Sequence, residues 1–341
     1  MQFEEAMAER VLITGGAGYI GSHAAKALSR AGCVPVVYDD LRRGNRWAVR
    51  WGPLVDAPLE NRDALIGAIR DHGVTAVMHL AAYAHISESM QDPSLYYRNN
   101  IAASLNLLDA MTTCGVDKLI VSSTCAVYGI PEALPITERT PTKPINPYGH
   151  SKLMLEEICR WYGAAHGINT VVLRYFNAVG ADPDGEIGEW QPPTRRLLPS
   201  IVEAALGKRP HLVVNGDNYP TPDGTAIRDY VHVADIAEAH RLAYRQLCAG
   251  RGSALYNLGT GGGVSIRALI EAVTQAVGAA PSVTFGPRRP GDPPELVADC
   301  SHAGAALGFR PVRSAIADIA RDTVAWYRVG LSRAQRTAAE E

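Results

Sequence analysis

Residues 10–21 read RVLITGGAGYIG. A short apolar run, 10–14, leads into a glycine loop, and residues 20–31 (IGSHAAKALSRA) carry helical character up to Gly32. Gly16, Gly18 and Gly21 fit G-x-G-x-x-G, and Gly15, Gly18 and Gly21 fit G-x-x-G-x-x-G. Between a strand and a helix, such glycines allow a tight turn. They also let a pyrophosphate approach the helix N-terminus, where amides and the helix dipole favour negative charge. A plain glycine turn is the competing reading, and the next strand weighs against it. Residues 34–38 (VPVVY) close on Asp39-Asp40, followed by Leu41. A carboxylate about 20 residues after the loop can bind ribose hydroxyls. It repels a 2′-phosphate, so the pattern favours NAD over NADP. Arg42 and Arg43 stand nearby and read as solvated surface charges.

The alternation continues outward from this stretch. Helical character over 62–71, 94–113 and from Pro147 to about 163 separates apolar strands at 74–80, 117–122 and 169–174. This predicts an α/β protein, a Rossmann-type doubly wound parallel sheet with helices on both faces. A smaller C-terminal substrate-binding lobe is expected beside it. The predicted division assigns 9–178 to the dinucleotide-binding domain, with 229–263 returning to it. Residues 179–228 and 264–330 form the second lobe, and 331–341 a frayed tail. Residues 196–207, 233–248 and 264–277 read as helices.

Composition narrows the function. Of 341 residues, 47% are hydrophobic and 20% charged, enough apolar content for a sizeable core. Lys plus Arg total 33 against 35 Asp plus Glu, for a net charge of −2. That balance disfavours nucleic-acid binding. No run of 18 apolar residues is present, so no membrane-spanning helix is expected. The acidic start, MQFEEAMAER, does not resemble a secretory signal. Six scattered cysteines without a C-x-x-C pair suggest a reducing, cytoplasmic setting and no metal site.

Residues 148–152 read YGHSK. Tyr148 and Lys152, four apart on a predicted helix, share a face. A free phenol, with a pKa of about 10, is a poor base at neutral pH. A nearby ammonium and an oxidised nicotinamide would bring it down. Tyr-x-x-x-Lys alone is common by chance. Here it follows a dinucleotide fingerprint and a strand ending Ser122-Ser123-Thr124, whose hydroxyls can emerge at the carboxyl edge of the sheet.

The combination resembles the extended short-chain dehydrogenase/reductase family over about residues 10–330. The resemblance narrows to the UDP-glucose 4-epimerase branch through GGAGYIGSH, YDDL, ESMQDPSLYYRNN, SSTCAVYG, NPYGHSK, LRYFNAVGADPDGEIGE, YPTPDGTAIRDYVHVADIA and RRPGD. It implies catalysis by Tyr148, Lys152 and Thr124. It places bound NAD on Gly15, Gly18, Tyr19, Ile20, Gly21, Asp39, Asp40, Leu41, Leu80, Ala81, Ala82, Asn100, Ser122, Tyr148, Lys152, Tyr175 and Phe176, with Phe176 against the nicotinamide. It puts a UDP-sugar on Thr124, Cys125, Ala126, Tyr148, Asn177, Arg196, Leu197, Val213, Val214, Asn215, Arg228, Arg289, Asp292 and Leu296. Arg228 and Arg289 would clamp the pyrophosphate, since guanidinium groups bind phosphate oxygens bidentately. Related 4,6-dehydratases carry Thr-Asp-Glu where this chain has Thr124-Cys125-Ala126. Dehydration is therefore disfavoured, and C4 epimerisation remains.

Several positions depart from the branch. Its lysine after the third strand is Ala84 here, its adenine-binding aspartate aligns near Pro58, and an Asn pair is Arg195-Arg196. The missing lysine suggests looser cofactor retention. Leu296, intermediate in size on the substrate-pocket wall, allows some turnover of UDP-N-acetylhexosamines. A UDP-pentose 4-epimerase and a non-catalytic NAD-binding sensor are the alternatives. The family implies a homodimer through helices near 94–113 and 148–163.

Overall fold

The computed structural model describes residues 9–289, 291–332 and 335–336. Seven parallel strands form the main sheet: β1 (Arg10–Thr14), β2 (Val34–Tyr38), β3 (Leu54–Val55), β4 (Ala76–His79), β5 (Lys118–Thr124), β6 (Asn169–Tyr175) and β10 (Ala254–Leu258). Their order is β10-β6-β5-β4-β1-β2-β3. Alternate residues of β1 enter opposite cores. Val11 and Ile13 join Leu28 of α1 (Tyr19–Arg30) and Ile236 and Ala243 of α8 (Val233–Cys248). Leu12 joins Leu65 of α2 (Arg62–Asp71), Leu107 of α5 (Ala103–Cys114) and Leu155 of α6 (Pro147–His166). Both faces of the sheet are covered, which explains strands that read as continuous apolar runs.

The helix expected over 94–113 is not uniform. α3 (Ile86–Gln91) and α4 (Pro93–Tyr97) come first, and a π turn spans Arg98–Ala102 before α5 begins. Such turns insert a residue into the helical ladder and often occur at functional sites. Here the turn carries Asn100, which is 1% exposed.

The second lobe is built on a small sheet. β9 (Ile227–His232) pairs with β7 (Asn177–Val179), β11 (Gly263–Ser265) and β13 (Glu295–Leu296). β8 (Leu212–Asn215) pairs in parallel with β12 (Val283–Gly286). Leu198 and Ile201 of α7 (Leu197–Ala205), Leu269 and Val273 of α9 (Ile266–Val277) and Ile319 of α10 (Ile316–Ala325) share a core with Trp326. Leu331 is buried and helical, so ordered chain passes the expected start of the tail; 333–334 and 337–341 lie outside the described residues. No helix among the described residues is long and apolar enough to cross a membrane.

A buried polar cluster fixes α6 against the sheet. Arg174 donates to Glu156 through Nε at 3.0 Å and Nη2 at 2.5 Å, and Ser123 also hydrogen-bonds Glu156. Arg174 reaches the Tyr128 hydroxyl at 2.9 Å, and Tyr128 donates to Asn257 at 2.7 Å. The cluster therefore joins α6, β5, β6 and β10. Removing one partner leaves the other charge buried and alone, at a cost of about 3–5 kcal/mol. The Glu156→Ala variant should lose stability of that order, read from its urea midpoint; an unchanged midpoint would show that the cluster does not hold α6.

Candidate active site

The glycine loop is shaped by close backbone approach. Gly15 has φ +72°, and a Cβ there would lie 2.6 Å from the Ala81 nitrogen. Only glycine fits that conformation at that distance. Leu80 donates to the Thr14 carbonyl at 3.0 Å, so Leu80, Ala81 and Ala82 form the neighbouring rim. α1 starts at Gly18 with no side-chain cap, and the first-turn amides of Tyr19, Ile20 and Gly21 face an open helix N-terminus. Asp39 stands beside it, accepting from the Ala17 amide at 3.0 Å and the Leu41 amide at 2.9 Å. Burial raises its pKa, opposed by those two amides. Asp40 is occupied locally by the Arg42 amide and guanidinium, both at 3.0 Å. Bare backbone, free amides and a carboxylate at the end of the adjacent strand fit a dinucleotide.

Tyr148, Lys152 and Thr124 come together. Thr124 ends β5, and Tyr148 and Lys152 lie in the first turns of α6. Asn146 caps α6 through the Gly149 amide at 2.8 Å, and Pro147 occupies its first turn. Gly149 lets the helix close on β5: a Cβ there would sit 2.6 Å from the Ala126 carbonyl oxygen. Burial pushes the Tyr148 phenol up to about 12; a hydrogen bond with the Thr124 side chain and the charge of Arg196 pull the other way. Lys152 is 2% exposed, and burial lowers its pKa to about 8 despite the charge of Glu156. Its ammonium donates to the Ser122 carbonyl at 2.8 Å. Burial also pushes the Cys125 thiol up to about 12, leaving it uncharged.

The second lobe brings its arginines to one place. Arg228 holds Asp292 at 2.6 Å and the Pro293 carbonyl at 2.9 Å. With the Asn215 amide turned to present its oxygen, Arg289 donates to it through Nε and Nη2, both at 3.2 Å. Val213 is half-exposed beside them. Leu296 packs with Phe176, Cys125 and Cys300 at the junction of the lobes. Arg196 donates to Glu189 at 3.2 Å and to the Ala178 carbonyl at 2.6 Å. Leu197 begins α7 next to it, and Asn177 begins β7.

Some expected contacts are redirected. Asn100 is not turned to the open cleft: its amide accepts from Tyr83 N at 2.9 Å and donates to Tyr83 O at 3.0 Å and to Ser151 at 3.1 Å. The Tyr19 hydroxyl donates to the Gly180 carbonyl at 2.6 Å, and the Tyr175 hydroxyl bonds His240 at 2.9 Å. Val214 alternates inward from Val213 and is 1% exposed in the second-lobe core, so it presents no side chain to a ligand. Phe176 is buried in the junction core. Arg43, expected as a solvated charge, donates to both oxygens of Glu88 at 2.9 Å and lies 3.9 Å over the Tyr83 ring. Sequence reasoning missed Glu88 and Tyr83 as its partners. Tyr83 directly follows the Leu80–Ala82 rim, a proximity that could have drawn notice.

Residues 11–259 match the model of the NAD dependent epimerase/dehydratase family. The UDP-glucose 4-epimerase of Azospirillum brasilense is 48% identical, over 96% of this chain and 94% of its own length. The crystal structure of UDP-glucose 4-epimerase from Brucella ovis in complex with NAD is 46% identical with a TM-score of 0.91, covering 93% of this chain and 98% of that one. That of the Stenotrophomonas maltophila enzyme, with bound NAD and formylated UDP-arabinopyranose, is 39% identical with a TM-score of 0.92, covering 96% and 99%. The family match over most of the chain, on a site of this composition, means that the protein belongs to the NAD dependent epimerase/dehydratase family.

Proposed function

We propose that this chain is an NAD-dependent UDP-glucose 4-epimerase, interconverting UDP-glucose and UDP-galactose. The observation that carries the reading is the convergence of Thr124, Tyr148 and Lys152 beside the glycine cradle, with no acid at Cys125 or Ala126 to drive elimination. The Brucella and Stenotrophomonas structures, both with NAD bound, support the cofactor assignment.

Gly15, Gly18 and the first amides of α1 would receive the diphosphate of NAD, and Asp39 a ribose. NAD, when bound, supplies reversible hydride acceptance at C4 of the sugar. Tyr148 takes the proton of the 4-hydroxyl and later returns it, and Thr124 hydrogen-bonds the same oxygen. Lys152, held by the Ser122 carbonyl, keeps positive charge beneath the reacting groups while it is protonated, below about pH 8. Arg228 and Arg289 grip the pyrophosphate of the UDP, exchanging Asp292 and Asn215 for phosphate oxygens, and Asp292 accepts from a ribose hydroxyl. Binding energy placed on the nucleotide leaves the sugar free to turn over and present its other face, a use of remote binding energy general to catalysis.

We further infer a cytoplasmic homodimer through α5 and α6. Trp161 on α6 is 63% exposed, and Leu105 on α5 and Ile158 on α6 are partly exposed. Exposed apolar surface of this kind marks association sites. Light scattering should give twice the 36.6 kDa chain mass; the mass of one chain would overturn the dimer.

The activity is tested by incubating the purified protein with UDP-galactose and following the anomeric protons by NMR. UDP-glucose should appear, and the Tyr148→Phe variant should keep its fold while losing at least roughly a hundredfold in rate, the scale of a lost general base. Failure of the natural protein to convert UDP-galactose even with added NAD would reject the hexose reading. Near-normal turnover by the variant would reject the role of Tyr148.

A further inference from the structure

Strand order places the glycine cradle between β4 and β2, because β1 is flanked by these two. Arg43 belongs to the loop after β2, and Tyr83 and Glu88 to the segment after β4. A contact between them therefore passes over the carboxyl end of β1, where the cradle opens. That contact is well formed. Arg43 Nη2 donates to both oxygens of Glu88, each at 2.9 Å, and the guanidinium stacks on Tyr83 at 3.9 Å. Both ends are braced. Gly44 packs its backbone close to the Asp39 carboxylate, and Asn100 binds both backbone groups of Tyr83. Glu88 also accepts from the Tyr96 hydroxyl at 2.9 Å.

The second lobe joins the same bridge. Arg195 approaches Glu88 at 3.9 Å, and His85 bonds Gln191 at 3.0 Å. The Asn45 amide donates to the Trp190 carbonyl at 3.0 Å. Edge-on aromatic contacts continue from Tyr83 to Tyr96 at 6.1 Å and from Tyr96 to Tyr148 at 6.4 Å. Each arginine of this mouth stands against an acid: Arg42 against Asp40, and Arg43 and Arg195 against Glu88.

We propose that the Arg43–Glu88 bridge, stacked on Tyr83, is a latch across the dinucleotide cleft that sets how slowly NAD leaves. The inference rests on the reading of the cradle as an NAD site. It assigns retention to a residue pair 45 positions apart, in a chain that has alanine at position 84. A latch acts on dissociation, so its loss shows in the rate of cofactor release. A planar guanidinium stacked on an aromatic ring is not replaced by a point ammonium.

The test follows NAD release from the NAD-loaded protein into a trapping dehydrogenase. Arg43→Ala and Glu88→Gln should each release NAD roughly tenfold faster, corresponding to about 1.4 kcal/mol. The double variant should be no faster than the singles, because both remove one bridge. Arg43→Lys should fall between the natural protein and Arg43→Ala, since an ammonium keeps the charge on Glu88 but loses the stacking on Tyr83. Release unchanged in Arg43→Ala, or effects that multiply in the double variant, would overturn the latch. Should the natural protein bind no NAD, the cradle reading itself fails, and the latch with it. Accelerated release accompanied by equal loss of thermal stability in the NAD-free variants would assign the pair a structural role and overturn the proposal.

Discussion

The close passage of Gly15 over the Ala81 backbone is the constraint on which the site depends. It sets the rim 80–82 against the end of β1, and with it the start of the segment that carries Tyr83. Asn100 then fixes Tyr83 by two backbone hydrogen bonds and reaches Ser151 on α6. Ser151 in turn donates to the Tyr148 carbonyl at 2.8 Å. The glycine loop and Tyr148 are thus linked through one short chain of contacts, and a side chain at position 15 would disturb both. The π turn before α5 is what aims Asn100 into this chain, a gain in placement that offsets a locally weaker helix.

Electrostatics set the condition under which the site works. Burial raises the Tyr148 phenol to about 12 and lowers the Lys152 ammonium to about 8, so without ligand the phenol holds its proton at neutral pH. Positive charge brought close to a phenol favours its ionised form, and an oxidised nicotinamide carries such charge. The protein's own pull comes from the Thr124 bond and from Arg196, which Glu189 partly neutralises. Ionisation of Tyr148 is then tied to cofactor occupancy.

The sheet and the pairing of Tyr148 with Lys152 on one helix were legible in the sequence, because each rests on local signals. Strand runs flanked by glycine, a capped helix start at Asn146-Pro147 and the four-residue spacing of Tyr148 and Lys152 need no distant partner. What escaped depends on topology or on short irregular elements. Arg43 reads as a surface charge until strand order brings Glu88 and Tyr83 beside it. Asn100 reads as part of a regular helix, since the apolar period of 94–113 passes through the π turn without a break. Val214, which the resemblance puts at the ligand, is turned into the second-lobe core by the alternation of β8. The arginines of the second lobe were located by resemblance alone. Their partners, Asp292 and Asn215, follow from the folding of three separate segments.

One site oxidises and re-reduces the same carbon, with hydride held inside the protein throughout. UDP-glucose carrying deuterium at C4 makes that visible. UDP-galactose should form with the deuterium still at C4 and none released to water. Loss of the label to solvent during conversion would contradict it, because proton exchange at carbon would then replace internal hydride return.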